Sequence, residues 1–331
     1  MAGTRTTAGQ QTSAGVRTVR AGRRSLVVHR PDKVLFPADG NGKGYTKGDL
    51  VAYYRSVAPF MLSHLRGRPL MLERHPDGID GPRFMQKNVP AHYPDWIKRV
   101  EVSKEGGTVT HLVCDDTATL VYLADQACLT PHRWLSRASG LHRPDRLVFD
   151  LDPSDGGNED NGGNGDDGDD FAVVRQAALL LRELLDELRL PSAPMTTGSR
   201  GLHLVVPLDG RQDFDAVRAF AKDVADHLVG AHPDRLTTAA RKKDRGNRLY
   251  LDIQRNGYAQ TAVAPYAVRA KPGAPVAVPI SWDQLDDPDL DARRWTITDA
   301  VDQARTNPWA GLPSRGRSLT PAGRRLDELR G

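Results

Sequence analysis

Residues 147–152, Leu-Val-Phe-Asp-Leu-Asp, form a short apolar run with two carboxylates two positions apart. Strand side chains alternate between the two faces of a sheet, so the pattern predicts a strand with Asp150 and Asp152 on one face. Two carboxylates held side by side repel each other unless cations lie between them, and a two-metal phosphoryl-transfer centre uses this arrangement. Taken alone, the pattern favours an edge strand with solvated carboxylates, so its interpretation depends on the segments that follow.

Two later segments add groups that suit phosphate and metal chemistry. The turn Gly198-Ser199-Arg200-Gly201 can point backbone N–H groups at a phosphate and adds a hydroxyl and a positive charge, although such a turn alone is a common hairpin. Residues 249–253 alternate apolar and polar side chains, which predicts a strand that carries Asp252 on its polar face. A third carboxylate on a strand thus follows directly after the basic segment 241–248.

Positive charge is unevenly distributed along the chain. The 331 residues carry a net charge of +4, but residues 155–170 contain seven acidic residues and no basic one, so the rest of the chain carries +11. This excess suits a protein that binds a phosphate backbone, although composition alone is weak evidence. Apolar runs stay well below the about 18 residues of a membrane span, and two cysteines make no disulfide framework. We therefore expect a cytoplasmic protein associated with the nucleoid.

Basic and aromatic residues are interleaved between positions 68 and 98. Arg74, Phe84 and Lys87 are candidates for DNA contacts, because cations can hold a phosphate backbone while bases stack on a ring. Ordinary solvated cations and partly buried rings explain the same pattern equally well.

A second pattern has the spacing of a zinc site, formed by His111, Cys114, Cys128 and His132. We expect no zinc there, because His111 and Cys114 face opposite sides of a predicted strand and a free cysteine is usually a small buried hydrophobe. His132 remains a candidate site residue, since it lies on the approach to the strand that carries Asp150.

The elements that must position these groups are strands separated by amphipathic helices, which are predicted at 171–188 and 214–228. This order predicts an α+β fold with strands of mixed direction. The predicted organisation is a disordered basic arm at 1–24, a single domain at 25–304 with a disordered acidic insertion at 155–170, and a basic, mobile tail at 305–331.

Several motifs together resemble the polymerase domain of bacterial ligase D, a branch of the archaeo-eukaryotic primase superfamily. The resemblance runs in order from about residue 26 to residue 300. It is carried by residues 31–37, 45–49, 148–153, 197–203, 251–256 and 261–269. It implies a primase-polymerase fold whose antiparallel and mixed sheets, with flanking helices, form an active-site cleft. Because no ligase or nuclease segment fits in the chain, we expect a stand-alone polymerase of the actinobacterial type.

The resemblance also implies roles for individual residues. Asp150, Asp152 and Asp252 match metal-binding carboxylates for two divalent ions, Mn²⁺ or Mg²⁺ with manganese favoured. Lys33 and Lys47 match lysines that hold the 5′-phosphate at the far side of a gap. His132 matches a histidine near the nucleotide sugar. The nucleotide-binding positions are Thr197, Ser199, Arg200 and His203, with Arg245 and Arg269 at triphosphate or metal-site contacts.

The implied function is template-directed nucleotidyl transfer that extends primers with NTPs, preferred over dNTPs, at gaps or double-strand breaks with a 5′-phosphate. A monomer working with a Ku-like end-binding protein and a separate DNA ligase is expected. Three positions depart from the family pattern: Thr197 replaces a usual Ser, Arg200 a usual Lys, and Arg255 a frequent Gln. The alternatives are a non-catalytic module that binds 5′-phosphorylated DNA ends and a phosphohydrolase of the haloacid dehalogenase type.

Overall fold

This computed structural model describes residues 12–13, 15–38, 43–104, 106–153 and 167–331. The helices are α1 (Lys47–Leu65), α2 (Thr117–Asp125), α3 (Asp167–Glu187), α4 (Phe214–Ala231), α5 (Ala300–Arg305) and α6 (Leu319–Arg330). The strands are β1 (Thr12–Ser13), β2 (Val16–Ala21), β3 (Arg24–His29), β4 (Val34–Phe36), β5 (Tyr45–Thr46), β6 (Pro69–Arg74), β7 (Phe84–Gln86), β8 (Lys98–Lys104), β9 (Gly107–Val113), β10 (Cys128–Trp134), β11 (Arg146–Asp152), β12 (Ala193–Thr196), β13 (Leu202–Pro207), β14 (Leu236–Thr237), β15 (Leu249–Asp252) and β16 (Thr261–Val263).

Two sheets dominate the fold. One has five strands in the order β12-β13-β11-β15-β14, and all its pairs are antiparallel except β14 with β15. The other has six strands in the order β16-β10-β6-β9-β8, with β7 paired to β6, and is antiparallel throughout. Short sheets β1-β2-β3 and β4-β5 complete the architecture. The predicted α+β fold with mixed and antiparallel sheets is confirmed.

The two faces of β11 carry different kinds of side chain: one is apolar, and the other carries Asp150 and Asp152. Leu147, Phe149 and Leu151 are buried in the main core together with apolar residues of α3 and α4, and both helices contact β11. Val148 on the opposite face packs in a small cluster with Ala262 of β16, which belongs to the six-stranded sheet. The face that carries Asp150 and Asp152 is therefore the face turned toward the second sheet.

Helix α1 begins as the sequence indicates. The Thr46 hydroxyl accepts a hydrogen bond from the Asp49 N–H at 3.2 Å, and the Asp49 carboxylate accepts one from the Thr46 N–H at 2.8 Å. This reciprocal capping box satisfies two backbone donors that the first turn leaves free. The helix buries its apolar stripe against α2 and α5.

The chain ends differ from the sequence prediction. Residues 16–21 of the predicted disordered arm form β2, which pairs along its whole length with β3. In the predicted mobile tail, residues 319–330 form α6, which buries Leu319, Ala322 and Leu326 and contacts α4. Both predictions relied on local composition and missed the packing partners, which are the next strand β3 for β2 and the sequence-distant helix α4 for α6. Of the acidic insertion, residues 155–166 lie outside the described residues, and 167–170 begin α3. Every helix among the described residues is too short or too polar to cross a bilayer.

Candidate active site

The three predicted aspartates come together because β11 lies between β13 and β15. In the antiparallel ladders Asp150 is directly opposite His203 of β13 and opposite Asp252 of β15. Residues opposite each other in such ladders project from the same face of the sheet. One oxygen from each of Asp150, Asp152 and Asp252 forms a group whose members all lie within 4.8 Å of one another. Three hard oxygen ligands at this spacing can hold divalent cations.

Two side chains, those of His203 and Arg255, stabilise the buried charge of Asp150. The His203 Nε2 atom lies 3.3 Å from Asp150 Oδ1, and the Arg255 Nε donates to Asp150 Oδ2 at 3.1 Å. Burial by itself would raise the pKa of Asp150, but the charges and hydrogen bonds of His203 and Arg255 outweigh it and lower the pKa. Burial and the nearby charge of Asp150 raise the pKa of Asp152. The two carboxylates are thus electrostatically distinct.

The carboxylate of Asp252 is held by its own strand and by the turn that follows it. The Tyr250 hydroxyl donates to Asp252 Oδ1 at 3.1 Å, and the Gln254 N–H donates to the same oxygen at 2.7 Å. Burial and the charge of Asp252 raise the pKa of Tyr250 to about 12, so its hydroxyl keeps its proton. No role for Tyr250 was predicted from the sequence, although its position two residues before Asp252 places both side chains on one face of the strand.

The turn between β12 and β13 is pressed against β11. The Thr197 hydroxyl donates to the Gly201 carbonyl at 3.0 Å and accepts from the Gly201 and Ser199 N–H groups. A Cβ at Gly201 would lie 2.1 Å from the Leu151 carbonyl oxygen, and a Cβ at Gly198, where φ is +64°, would lie 2.7 Å from the backbone of Val276. Both glycines are therefore required for the turn to approach the strand that carries Asp152.

One open pocket collects most of the predicted site residues. Val263 of β16 and Arg255, which was noted only as a departure from the family pattern, also line it. The Arg269 guanidinium is fixed there, because its Nη1 donates to the Thr197 carbonyl at 2.6 Å. The predicted residues that line this pocket are Asp150, Asp152, Thr197, Ser199, Arg200, His203, His132 and Arg269.

Arg245 is placed differently from the other predicted nucleotide contacts. Its guanidinium stacks over the Tyr250 ring at 3.9 Å and donates to the carbonyls of Ala239 and Ala240. Arg245 is not among the residues that line the pocket. In this structure it supports Tyr250, and through Tyr250 the Asp252 carboxylate.

Lys33 and Lys47 form a separate basic site. The Lys47 N–H donates to the Lys33 carbonyl at 2.8 Å, which brings the two residues together where β4 pairs with β5. Each ammonium faces an aspartate: Lys33 Nζ lies 2.6 Å from Asp77, and Lys47 Nζ lies 3.7 Å from Asp125. Burial lowers the pKa of Lys47, and the charge of Asp125 partly opposes that effect.

The three candidate DNA contacts lie on or beside the β6–β7 hairpin. Arg74 is opposite Phe84 in that pair, but its guanidinium donates to the Gln86 side chain and to the Gln126 carbonyl. Phe84 and Lys87 are exposed. The Phe84 ring and the Lys87 ammonium are therefore accessible from solvent, whereas the Arg74 guanidinium stabilises the hairpin through hydrogen bonds within the protein.

A family model for the LigD primase-polymerase domain matches residues 46–309 of this chain. The chain belongs to the LigD primase-polymerase domain family. The resemblance to the ligase D polymerase domain is confirmed, and the haloacid dehalogenase alternative is left without support.

Relatives of known name and structure agree. The chain is 36% identical over 278 residues to the multifunctional non-homologous end joining DNA repair protein LigD of Mycobacterium tuberculosis, covering 82% of this chain and 34% of that protein. It is 30% identical over 310 residues to the Pseudomonas aeruginosa LigD protein, covering 92% and 35%. The chain thus spans about a third of the length of these relatives. The polymerase domain of M. tuberculosis ligase D, solved in complex with DNA, superposes with a TM-score of 0.76 at 33% identity, covering 87% of this chain and 97% of that one.

The close approach of Gly201 to Leu151 generates a stability prediction. We expect Gly201→Ala to lower the free energy of unfolding by about 2 kcal/mol or more, because the new methyl group overlaps a backbone oxygen that cannot rotate away. Urea denaturation measures the change. Gly140→Ala is the matched control, since a Cβ at Gly140 meets nothing within 4 Å. Equal midpoints for the two variants would contradict the prediction.

Proposed function

We propose that this chain is a metal-dependent nucleotidyltransferase that extends a primer by adding nucleotides at gaps or broken DNA ends that carry a 5′-phosphate. The observation that carries the proposal is the cluster of Asp150, Asp152 and Asp252 beside a pocket that also contains Arg200 and Arg269. A triphosphate with its metal ions needs acidic ligands for the ions and cations for its own oxygens. Membership of the LigD primase-polymerase family supports the same reaction.

The residues present fit the proposed metal ions. All three side chains of the cluster are carboxylates, which suit Mg²⁺ and Mn²⁺, and the cluster contains no sulfur or imidazole ligand that would favour a softer ion. Two bound divalent ions would activate the primer 3′-hydroxyl and neutralise charge on the departing pyrophosphate. We take Mn²⁺ as the preferred ion, as the resemblance to the family implies.

The protein's own groups have complementary tasks in this proposal. Arg269, fixed by the Thr197 carbonyl, and Arg200 bind triphosphate oxygens, and the turn held by Thr197 presents the Ser199 hydroxyl to the same pocket. His203 orients the Asp150 carboxylate and keeps it ionised. Since the Arg269 guanidinium is fixed before a nucleotide arrives, it needs no reorganisation during the reaction.

Lys33 and Lys47 are proposed to hold the 5′-phosphate of the downstream strand. A phosphate dianion is well matched by two adjacent ammonium groups. Asp77 and Asp125 now pair with these lysines, and the Asp77 carboxylate is largely exposed, so a phosphate can displace it from Lys33 at little cost. We further propose that the chain acts as a monomer with a Ku-like end-binding protein and a separate DNA ligase.

The primary test is extension of a labelled primer that faces a short gap, with NTPs or dNTPs and with Mn²⁺. Asp150→Asn and Asp252→Asn are expected to reduce extension by about a thousandfold, because each substitution removes one anionic ligand. Asp327→Asn, on the exposed face of α6, is the control and should keep full activity. Wild-type protein that fails to extend any primer but binds the 5′-phosphorylated gap would instead favour the DNA-end binding module.

The two lysines are tested by binding rather than by turnover. Wild-type protein should bind gapped DNA with a 5′-phosphate at least tenfold more tightly than the same DNA with a 5′-hydroxyl. Tenfold corresponds to about 1.4 kcal/mol, which is close to the lower value for a single charge-assisted hydrogen bond, and the bond from Lys33 to Asp77 that the phosphate replaces offsets the rest. Lys33→Gln and Lys47→Gln should lose most of this preference in fluorescence anisotropy titrations. Lys98→Gln, which breaks an exposed lysine–aspartate pair elsewhere, is the control. A preference that survives in both variants would exclude this phosphate site.

Arg255 gives a prediction for the metal ions. Its positive charge lies 3.1 Å from Asp150, so Arg255→Gln makes the cluster more negative and should tighten Mn²⁺ binding by about fivefold after allowance for solvent screening. The free Mn²⁺ signal in electron paramagnetic resonance measures this affinity without any turnover. Arg55→Gln, on the exposed side of α1, is the control. Unchanged or weaker binding in Arg255→Gln would contradict the prediction.

A further inference from the structure

Glu73 is connected to the pocket through its contact with His132, which is one of the residues that line the pocket. These residues lie on the paired strands β6 and β10, where Glu73 is opposite Thr130 and His132 is opposite Met71. They are therefore diagonal neighbours on one face of the six-stranded sheet. The His132 Nε2 atom lies 3.2 Å from Glu73 Oε2. Glu73 is buried, and His132 lines the pocket beside Arg269 and Val263.

The Glu73 carboxylate is ionised. Burial alone would raise its pKa, but the hydrogen bonds of His132 and His75 and the positive charge of Arg269 outweigh it and lower the pKa below its usual value. The His75 Nε2 atom lies 3.4 Å from the second carboxylate oxygen, so both oxygens have a histidine partner. An ionised carboxylate has no proton to donate and acts only as an acceptor.

This fixes the direction of the hydrogen bond to His132. Since Glu73 only accepts, the proton between them belongs to His132 Nε2. Burial lowers the pKa of the His132 ring, although Glu73 partly opposes the effect, so the ring is neutral and its Nδ1 carries a lone pair. Among the described residues Nδ1 has no hydrogen-bond partner, and the His132 side chain, which lines the pocket, is 15% exposed, so Nδ1 is left as the acceptor that a ligand in the pocket can use.

We propose that Glu73 is a positioning residue for nucleotide selection. It holds His132 in the neutral Nε2–H tautomer, and His132 Nδ1 accepts a hydrogen bond from a hydroxyl of the incoming nucleotide's sugar. The inference rests on the proposed nucleotidyl transfer and deepens it, because an acceptor at this position favours a ribose, whose 2′-hydroxyl can donate, over a deoxyribose, which has none. Neither Glu73 nor the direction of this hydrogen bond is evident from the motifs of the sequence.

The tautomer is measured independently of catalysis. Long-range ¹H–¹⁵N correlation spectra of protein labelled at histidine distinguish a protonated Nε2 from a protonated Nδ1, and His132→Gln assigns the signal. We expect Nε2–H in the wild type. In Glu73→Gln the amide can donate to Nε2, so we expect the signal to shift toward the Nδ1–H tautomer. A wild-type ring protonated at Nδ1, or a tautomer unchanged in Glu73→Gln, would overturn the proposal.

Nucleotide discrimination is the second measurement. The ratio of kcat/KM for NTP to that for dNTP should fall about five- to tenfold in Glu73→Gln, the loss of one hydrogen bond of about 1 kcal/mol or slightly more. In the wild type, a 2′-fluoro nucleotide should behave like the dNTP, because fluorine accepts but does not donate. Glu101→Gln, an exposed glutamate on β8 of the same sheet, is the matched control and should retain the wild-type ratio.

The outcomes separate the two proposals. If Glu73→Gln lowers kcat/KM equally for NTP and dNTP, Glu73 has only a structural role and the positioning proposal fails while nucleotidyl transfer stands. His75→Gln removes the other histidine partner of Glu73 and should leave the ratio near the wild-type value. If His132 has the Nε2–H tautomer but neither nucleotide is bound or incorporated, the nucleotidyltransferase proposal fails and the sugar contact is overturned with it.

Discussion

The antiparallel register of β11 with both of its neighbours is the constraint on which the site depends. This register places Asp150 opposite His203 on one side and opposite Asp252 on the other. A carboxylate as buried as Asp150 would ordinarily be neutral, because a low-dielectric interior disfavours charge. His203 and Arg255 reverse that preference, so the same pairing that gathers negative charge also supplies part of its compensation. A slip of one residue in the register would turn the aspartates into the core and break both functions at once.

The pocket draws its polar groups from both large sheets. The five-stranded sheet contributes the aspartates and His203, and the six-stranded sheet contributes His132 through β10. A small apolar cluster that includes Val148 and Ala262 joins the two sheets close to these groups. Because packed apolar side chains resist displacement, this contact fixes the separation of the acidic and imidazole groups. The pocket is therefore preorganised by packing as much as by hydrogen bonds.

Local periodicity was enough to predict some of this arrangement. The alternation around Asp150 and Asp152 and around Asp252 predicted strands with carboxylates on one face, and the structure brings those faces together. The prediction of disorder from composition was wrong at the chain ends. Strand β2 is ordered by its pairing with β3 and helix α6 by its packing on α4, and their own sequences indicate neither contact. Pairs between distant residues were also inaccessible. Arg255 lies 105 positions from Asp150 and His132 lies 59 positions from Glu73, and no local pattern indicates either contact.

A common principle connects the two charged sites of the molecule. Asp150 is compensated by His203 and Arg255, and Lys33 and Lys47 are compensated by Asp77 and Asp125, so neither site holds an isolated charge. An uncompensated buried charge would cost several kcal/mol and destabilise the fold. Under the proposed function, ligand binding is then an exchange of counter-ions: divalent ions compete with Arg255 for Asp150, and a phosphate competes with Asp77 for Lys33. In each case the ligand displaces the more exposed partner, because the side chains of Arg255 and Asp77 are 42% and 66% exposed. The buried partners, His203 and Asp125, stay paired with Asp150 and Lys47. The asymmetry in exposure lets each site be occupied without loss of the surrounding structure.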